Sequence, residues 1–277
     1  RQRQMCIRDR SDSVSDRPFP PFLPLYSPMP TPRFFIDAPT DAFQLGGRFE
    51  LPPKTARHAG RSLRLAAGEI VELFNGTGAA WSGPVGFSDA SAWVELEHRT
   101  DRTAESPLAI TLLQSLVAPE KADWIVEKAV EAGISEIVFM PAERSVTKLA
   151  GERLEKRLAR LTDIARSAAE QCGRNVVPLV RAVPSLEAGF KTVSGGVKFV
   201  LAPGADASAA SSMQPGLRSV AFAVGPEGGF SAREIELAAA HGWQPQLLGP
   251  RVLRTETAGL AAAIWAQTLV GDLPRAC

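Results

Sequence analysis

Beyond residue 107, short apolar runs alternate with stretches whose apolar residues recur every three to four positions. Residues 108–116 read as a strand. In 119–132 the residues Ala122, Ile125, Val126, Ala129 and Val130 share one helical face, with Gly133 placed to stop the helix. Residues 134–140 form a second apolar run, and 153–172 a long amphipathic helix through Leu154, Leu158, Leu161, Ala165 and Ala168, with Arg157, Arg160 and Arg166 on its other face. Further apolar runs lie at 176–183, 197–201, 220–224 and 245–248. Such alternation predicts an α/β fold whose parallel sheet is covered on both faces. Ser231 with Glu234 three positions later makes a capping box, which fixes where a helix begins. The last helical stretch, 258–270, is apolar on nearly every side, as burial against a partner requires.

Before this region the pattern changes to short strands and turns. Residues 45–51, 70–74 and 92–96 read as strands, and Asn75-Gly76-Thr77-Gly78 is a strong hairpin signal, so a small β-barrel is expected. A polar stretch without periodicity follows, through to Pro107. The first 31 residues carry six prolines between Pro18 and Pro30 after an arginine-rich opening. They read as a disordered leader or an artefact of gene assembly. The expected organisation is a leader over 1–31, a barrel domain over 32–100, a linker over 101–107 and an α/β domain over 108–277.

Composition narrows the class without naming it. Hydrophobic residues at 45% and charged residues at 22% are ordinary for a globular chain, and no run of about 18 apolar residues suits a membrane span. Cys6, Cys172 and Cys277 lie far apart, and neither they nor His98 and His241 have metal-ligand spacing, so no metal is expected. The net charge is +1, but the first 31 residues hold five arginines against three aspartates, leaving 26 basic and 27 acidic side chains on the rest. Any nucleic-acid contact must therefore use a local positive patch. Lys54, Arg57, His58, Arg61 and Arg64 supply one candidate; on a helix Arg57, Arg61 and Arg64 would share a face. A solvated surface is the plainer account of the same run.

The chemistry concentrates in two stretches, 225–230 (GPEGGF) and 248–257 (LGPRVLRTET), each following an apolar run and leading into a helix. Glycine lets a backbone approach a ligand closely, and a helix that starts straight afterwards offers unpaired N–H groups. Neither stretch is a P-loop, and Gly76-Thr77-Gly78 lacks the third glycine of a dinucleotide fingerprint. Thr255 is placed to cap a helix, whereas Arg251 and Arg254 are not explained by capping. Glu227 and Glu256 are the carboxylates closest in sequence to these loops, and each serves either as a general base or as a cap or ion-pair partner.

Residues 225–235 (GPEGGFSAREI) and 248–258 (LGPRVLRTETA) resemble the cofactor loops of the SPOUT methyltransferases, most closely the bacterial family that methylates uridine N3 in small-subunit ribosomal RNA. Residues 127–133 (EKAVEAG), 143–145 (ERS) and 169–178 (AEQCGRNVVP) match in family order, and the likeness begins at Arg33-Phe34-Phe35. The resemblance implies a PUA-like RNA-binding barrel followed by an α/β domain with a trefoil knot, acting as a cytoplasmic homodimer on 16S ribosomal RNA or the assembled small subunit. It implies an S-adenosyl-L-methionine site made by Leu201, Gly225, Pro226, Glu227, Gly228, Gly229, Leu248, Gly249, Arg251, Val252, Leu253, Thr257 and Ala258. Arg254 is the leading catalytic candidate, beside Glu227 and Glu256, and Arg33, His58, Arg61, Arg64, Arg144 and Arg174 are the expected RNA contacts. The rival readings are methylation of a different RNA or nucleotide atom, and a non-catalytic RNA-binding assembly protein.

Overall fold

Two six-stranded sheets organise the described residues. The structure, a computed structural model, describes residues 31–89, 91–101, 104–147, 150–205 and 211–273. The leader expected at 1–31 lies outside these, apart from Thr31, and so do Cys6 and Cys277.

The first sheet contains β1 (Arg33–Phe35), β2 (Arg48–Glu50), β3 (Ile70–Phe74), β4 (Ala80–Phe87), β5 (Ala92–Glu95) and β6 (His98–Thr100). Their order is β1-β3-β4-β5-β2, with β6 also on β4; β1 and β3 run parallel and the other pairs antiparallel. The 75–78 turn joins β3 to β4 as its sequence predicts. Phe34, Val71, Leu73, Trp81, Val85 and Val94 fill the interior, where the Phe43 and Trp81 rings stack with centroids 4.2 Å apart. One expectation changes here. Helix α1 (Pro53–Arg57) continues into one wider π-helical turn, His58–Ser62, and Arg64 then takes a left-handed conformation at φ 54°. Arg57, Arg61 and Arg64 therefore do not share a regular helical face, although they stay neighbours on an exposed surface.

The second sheet is parallel throughout: β7 (Ala109–Ser115), β8 (Glu136–Met140), β9 (Leu179–Ala182), β10 (Val197–Leu201), β11 (Ser219–Val224) and β12 (Gln244–Gln246), in the order β12-β10-β11-β7-β8-β9. Parallel neighbours need crossovers, and helices supply them. On one face lie α2 (Pro119–Glu131), α3 (Gly151–Cys172) and α6 (Thr255–Val270), packed on Ile110, Leu112, Phe199, Phe222 and Val224. On the other lie α4 (Leu186–Thr192) and α5 (Ala232–Ala240), packed on Leu113, Val200, Ala221 and Ala223. Adjacent residues of one strand enter opposite cores, as a sheet buried on both sides requires. The five apolar residues predicted for the face of α2 are the ones it buries.

Polar groups join the two halves. Arg33 pairs with Glu72 of β3 and donates to the Arg174 carbonyl at 3.0 Å and to Asn175 Oδ1 at 2.6 Å. The Phe35 amide donates to Glu170 Oε1 at 2.6 Å, and the Arg166 guanidinium sits 4.6 Å from the Phe35 ring centroid while pairing with Asp37. Burial pushes the Glu170 carboxyl above its ordinary range, against the Phe35 hydrogen bond and the charges of His58, Arg33 and Lys54.

Arg174 overturns its expectation as an RNA contact. It is 3% exposed, pairs with Glu105 at 2.7 Å, and donates to the carbonyls of Val130 (3.0 Å) and Ile134 (2.8 Å) at the end of α2. A guanidinium enclosed in this way supplies the Ile134 carbonyl with a donor and adds a second to the Val130 carbonyl, which also accepts from the Gly133 amide, and it has no face left for a phosphate. Arg33 is half-buried, and its two terminal nitrogens serve the join between the halves.

Candidate functional site

Strand β11 ends at Val224, and Gly225 to Phe230 carry the chain to α5. The capping box forms as predicted: the Ser231 hydroxyl accepts from the Glu234 amide, and Glu234 Oε2 accepts from the Ser231 amide at 2.8 Å. Glu234 also accepts from the Glu143 amide at 2.8 Å, and the Ser231 hydroxyl donates to Glu143 Oε2 at 2.8 Å. The turn after β8 is thereby fastened beside this loop, and Arg144 donates to the Gly228 carbonyl at 2.9 Å. Gly225 is required by packing, because a Cβ there would lie 2.9 Å from the Phe230 amide nitrogen, and Gly229 by its φ of +66°.

The second loop runs from the end of β12 to α6. Arg254 is the residue preceding the helix, and its carbonyl accepts from the Thr257 and Ala258 amides at 3.0 and 2.9 Å. Thr255, expected as the cap, is instead the first helical residue, 7% exposed. Its hydroxyl donates to the Gly225 carbonyl at 2.6 Å and accepts from Gln114 Nε2 of β7 at 3.0 Å. One side chain thus ties the two glycine loops to each other and to the central strand. Thr255→Val keeps the shape and removes both hydrogen bonds. It is expected to lower the unfolding free energy by about 1–3 kcal/mol, read as a lower denaturant midpoint at constant slope.

Between the two loops and the turn after β10 lies a cavity of about 650 Å³. A volume of roughly 300–1,000 Å³ suits a small organic ligand. Every residue predicted for the cofactor lines this cavity except Thr257, which the first turn of α6 carries elsewhere. The walls are largely apolar, from Leu201, Val224, Leu248, Leu253 and Ala258, with backbone amides and carbonyls exposed between them.

Charge is confined to Lys121, Glu227, Arg251, Arg254 and Glu256. Lys121 donates to Glu227 Oε1 at 2.9 Å and stands 3.7 Å from Glu256 Oε2. Burial pushes the Glu227 carboxyl up, but the hydrogen bond from Lys121, its own backbone amide and the Lys121 charge outweigh this and hold it below the ordinary range. Lys121 is correspondingly raised, chiefly by the Glu227 hydrogen bond. Arg254 is exposed and forms no ion pair among the described residues. Sequence reading missed Lys121, which precedes the apolar face of α2 and carries no motif. It also missed Ala202, Pro203 and Gly204, which follow β10 as the glycine loops follow β11 and β12.

The sites expected for RNA divide. Arg61, Arg64 and His58 are exposed near Lys54 and Arg57, and none of the five forms an ion pair among the described residues. Arg144 is exposed and donates to the Gly228 carbonyl, whereas Arg174 is buried and Arg33 half-buried. Among the described residues no cluster of His, Cys, Asp or Glu is placed to hold a metal, and no helix is long and apolar enough to cross a membrane.

Two family matches cover most of the body: an RNA methyltransferase domain over residues 104–267 and an RNA methyltransferase PUA domain over 51–85. Ribosomal RNA small subunit methyltransferase E of Buchnera aphidicola subsp. Schizaphis graminum is 30% identical over 213 residues, 76% of this chain and 86% of the relative. The chain belongs to the ribosomal RNA small subunit methyltransferase E family. A second family member, from Buchnera aphidicola subsp. Acyrthosiphon pisum, is 26% identical over 87% of this chain and 94% of its own length. Among solved structures, the Neisseria gonorrhoeae family member bound to S-adenosyl methionine matches with a TM-score of 0.79 at 33% identity, covering 88% of this chain and all of that one. A Legionella pneumophila protein with the cofactor SAM bound matches with a TM-score of 0.81, also at 33% identity and the same coverage.

Proposed function

We propose that this protein methylates uridine N3 in 16S ribosomal RNA of the small subunit, with S-adenosyl-L-methionine as methyl donor. The observation that carries the reading is the cavity closed by the Thr255–Gly225 hydrogen bond, which gathers the residues expected for that ligand. Apolar walls accept an adenosine, and the backbone groups of the two loops offer hydrogen bonds without demanding charged partners. When bound, the donor supplies an electrophilic methyl carbon. The residues of the chain must align N3 with it and manage the N3 proton, because uracil is protonated there at neutral pH. Arg254, exposed at the rim, is suited to stabilise the charge that develops on the uracil ring as the proton leaves. Glu227 and Glu256 converge on Lys121, which favours the ion-pair role for both over the role of general base.

We infer further that the first sheet closes into a PUA-like barrel over 32–100, joined by 101–107 to a knotted SPOUT domain over 108–277. A homodimer acting in the cytoplasm is part of this reading. Trp124 of α2 and Ile264 of α6, 38% and 40% exposed, support a partner surface on the helices that pack together.

Isothermal calorimetry with S-adenosyl-L-methionine tests the pocket, and mass spectrometry of 16S ribosomal RNA from cells with and without the gene tests the substrate. RNA is expected to be gripped at the cationic surface of Lys54, Arg57, His58, Arg61 and Arg64. Arg61→Ala with Arg64→Ala should reduce RNA affinity and flatten its dependence on log salt concentration by about 1.4–1.8, two phosphate contacts' worth. Cofactor binding should not change; an unaltered salt slope refutes the assignment.

A further inference from the structure

Three charged groups from separate parts of the chain meet at the mouth of the cavity, and neither the motifs nor the family likeness gave one of them a role. Lys121 belongs to α2, Glu227 to the loop after β11, and Glu256 to the first turn of α6. The ammonium donates to Glu227 at 2.9 Å and lies 3.7 Å from a Glu256 oxygen that is buried and has no hydrogen-bond partner. Resting on the reading of the cavity as a methyl-donor site, we propose that Lys121 is a positioning residue: it locks the two cofactor loops together through Glu227 and Glu256 and keeps the rim set for the ligand.

The geometry gives the lock a direction. Thr255 joins the loops at the floor of the cavity, and Lys121 joins them at its edge, so the walls are fixed at two heights. Without the ammonium, the Glu227 and Glu256 carboxylates are left facing each other across the rim, with Arg254 nearby. Asp123, further along α2, is engaged by Arg157 and Arg160 of α3 and offers Lys121 no substitute partner. The Glu227 carboxyl is held below its ordinary range by Lys121 while burial pushes the other way. Removing Lys121 therefore moves Glu227 upward. Binding that needs an ionised Glu227 persists to low pH in the wild type, and in the variant it fails at a higher pH as the solution is acidified.

The test is calorimetric titration of the full chain with S-adenosyl-L-methionine across the acid range, for wild type, Lys121→Met, Lys121→Arg and Glu227→Gln. Lys121→Met should weaken binding at neutral pH about tenfold and shift the acid limb upward. Lys121→Arg should restore most of both. Glu227→Gln, which lacks the titrating group, should flatten the limb. Equal affinity and an unmoved limb in Lys121→Met overturn the proposal, and so does weaker binding with the limb in place, which marks a merely structural lysine. If Lys121→Met does not fold, the arginine and glutamine variants decide by the same readouts. A wild type that binds no S-adenosyl-L-methionine at any pH overturns the reading of the cavity itself, whereas a fault confined to Lys121 leaves wild-type binding intact.

Discussion

Arg254→Ala is expected to lower kcat for RNA methylation by about 10²–10³-fold, the effect of removing one preorganised donor aimed at developing negative charge. The substitution spares the local structure, because what Arg254 gives α6 is its backbone carbonyl, which still accepts from the Thr257 and Ala258 amides. Cofactor affinity should therefore hold while turnover falls. Arg254→Lys keeps the charge but loses the planar fork, and its turnover should fall between those of the wild type and the alanine variant. Single-turnover kinetics with saturating cofactor separate the outcomes. A loss confined to the KM for RNA identifies Arg254 as a phosphate contact, and an unchanged kcat removes it from the chemistry.

The largest effect on stability is expected at Arg174. Replacing it with alanine leaves Glu105 without its buried cation and takes the guanidinium donor from the Ile134 carbonyl, while the Val130 carbonyl keeps the Gly133 amide. Breaking one side of a buried pair costs about 3–5 kcal/mol, out of a typical total of about 5–15 kcal/mol for a domain. Chemical denaturation should show a large drop in midpoint, with RNA affinity preserved in the protein that remains folded. The opposite pattern, near-native stability with weakened RNA binding, would restore the RNA role that the sequence suggested.

Arg174 shows where sequence reading stopped. In the polar run 171–175 an arginine looks exposed, and only the fold brings it to Glu105, 69 positions away. Lys121 was missed for the same reason: its partners are Glu227 and Glu256, and no local pattern joins them. Local signals fared better. The face of α2, the Ser231–Glu234 cap and the 75–78 turn all depend on neighbours a few residues apart, and all formed as read. The pocket was legible because its two loops carry glycines where the backbone is close-packed or at positive φ, at Gly225 and Gly229 in the first and at Gly249 in the second. Strand β12 was hard to place because Gln-Pro-Gln has little strand character of its own; it follows β10 by pairing with 199–201.

The position of β11 between β10 and β7 has a consequence during synthesis. β7 is made early, yet its pairing edge toward β11 stays bare until more than a hundred further residues have left the ribosome, counting from Ser115 to Ser219. Contacts so distant in sequence form slowly, and an uncovered parallel strand invites mispairing in the meantime. Nascent chains stalled before β11 should therefore associate with chaperones, and release should coincide with the emergence of the strand that leads into the first pocket loop.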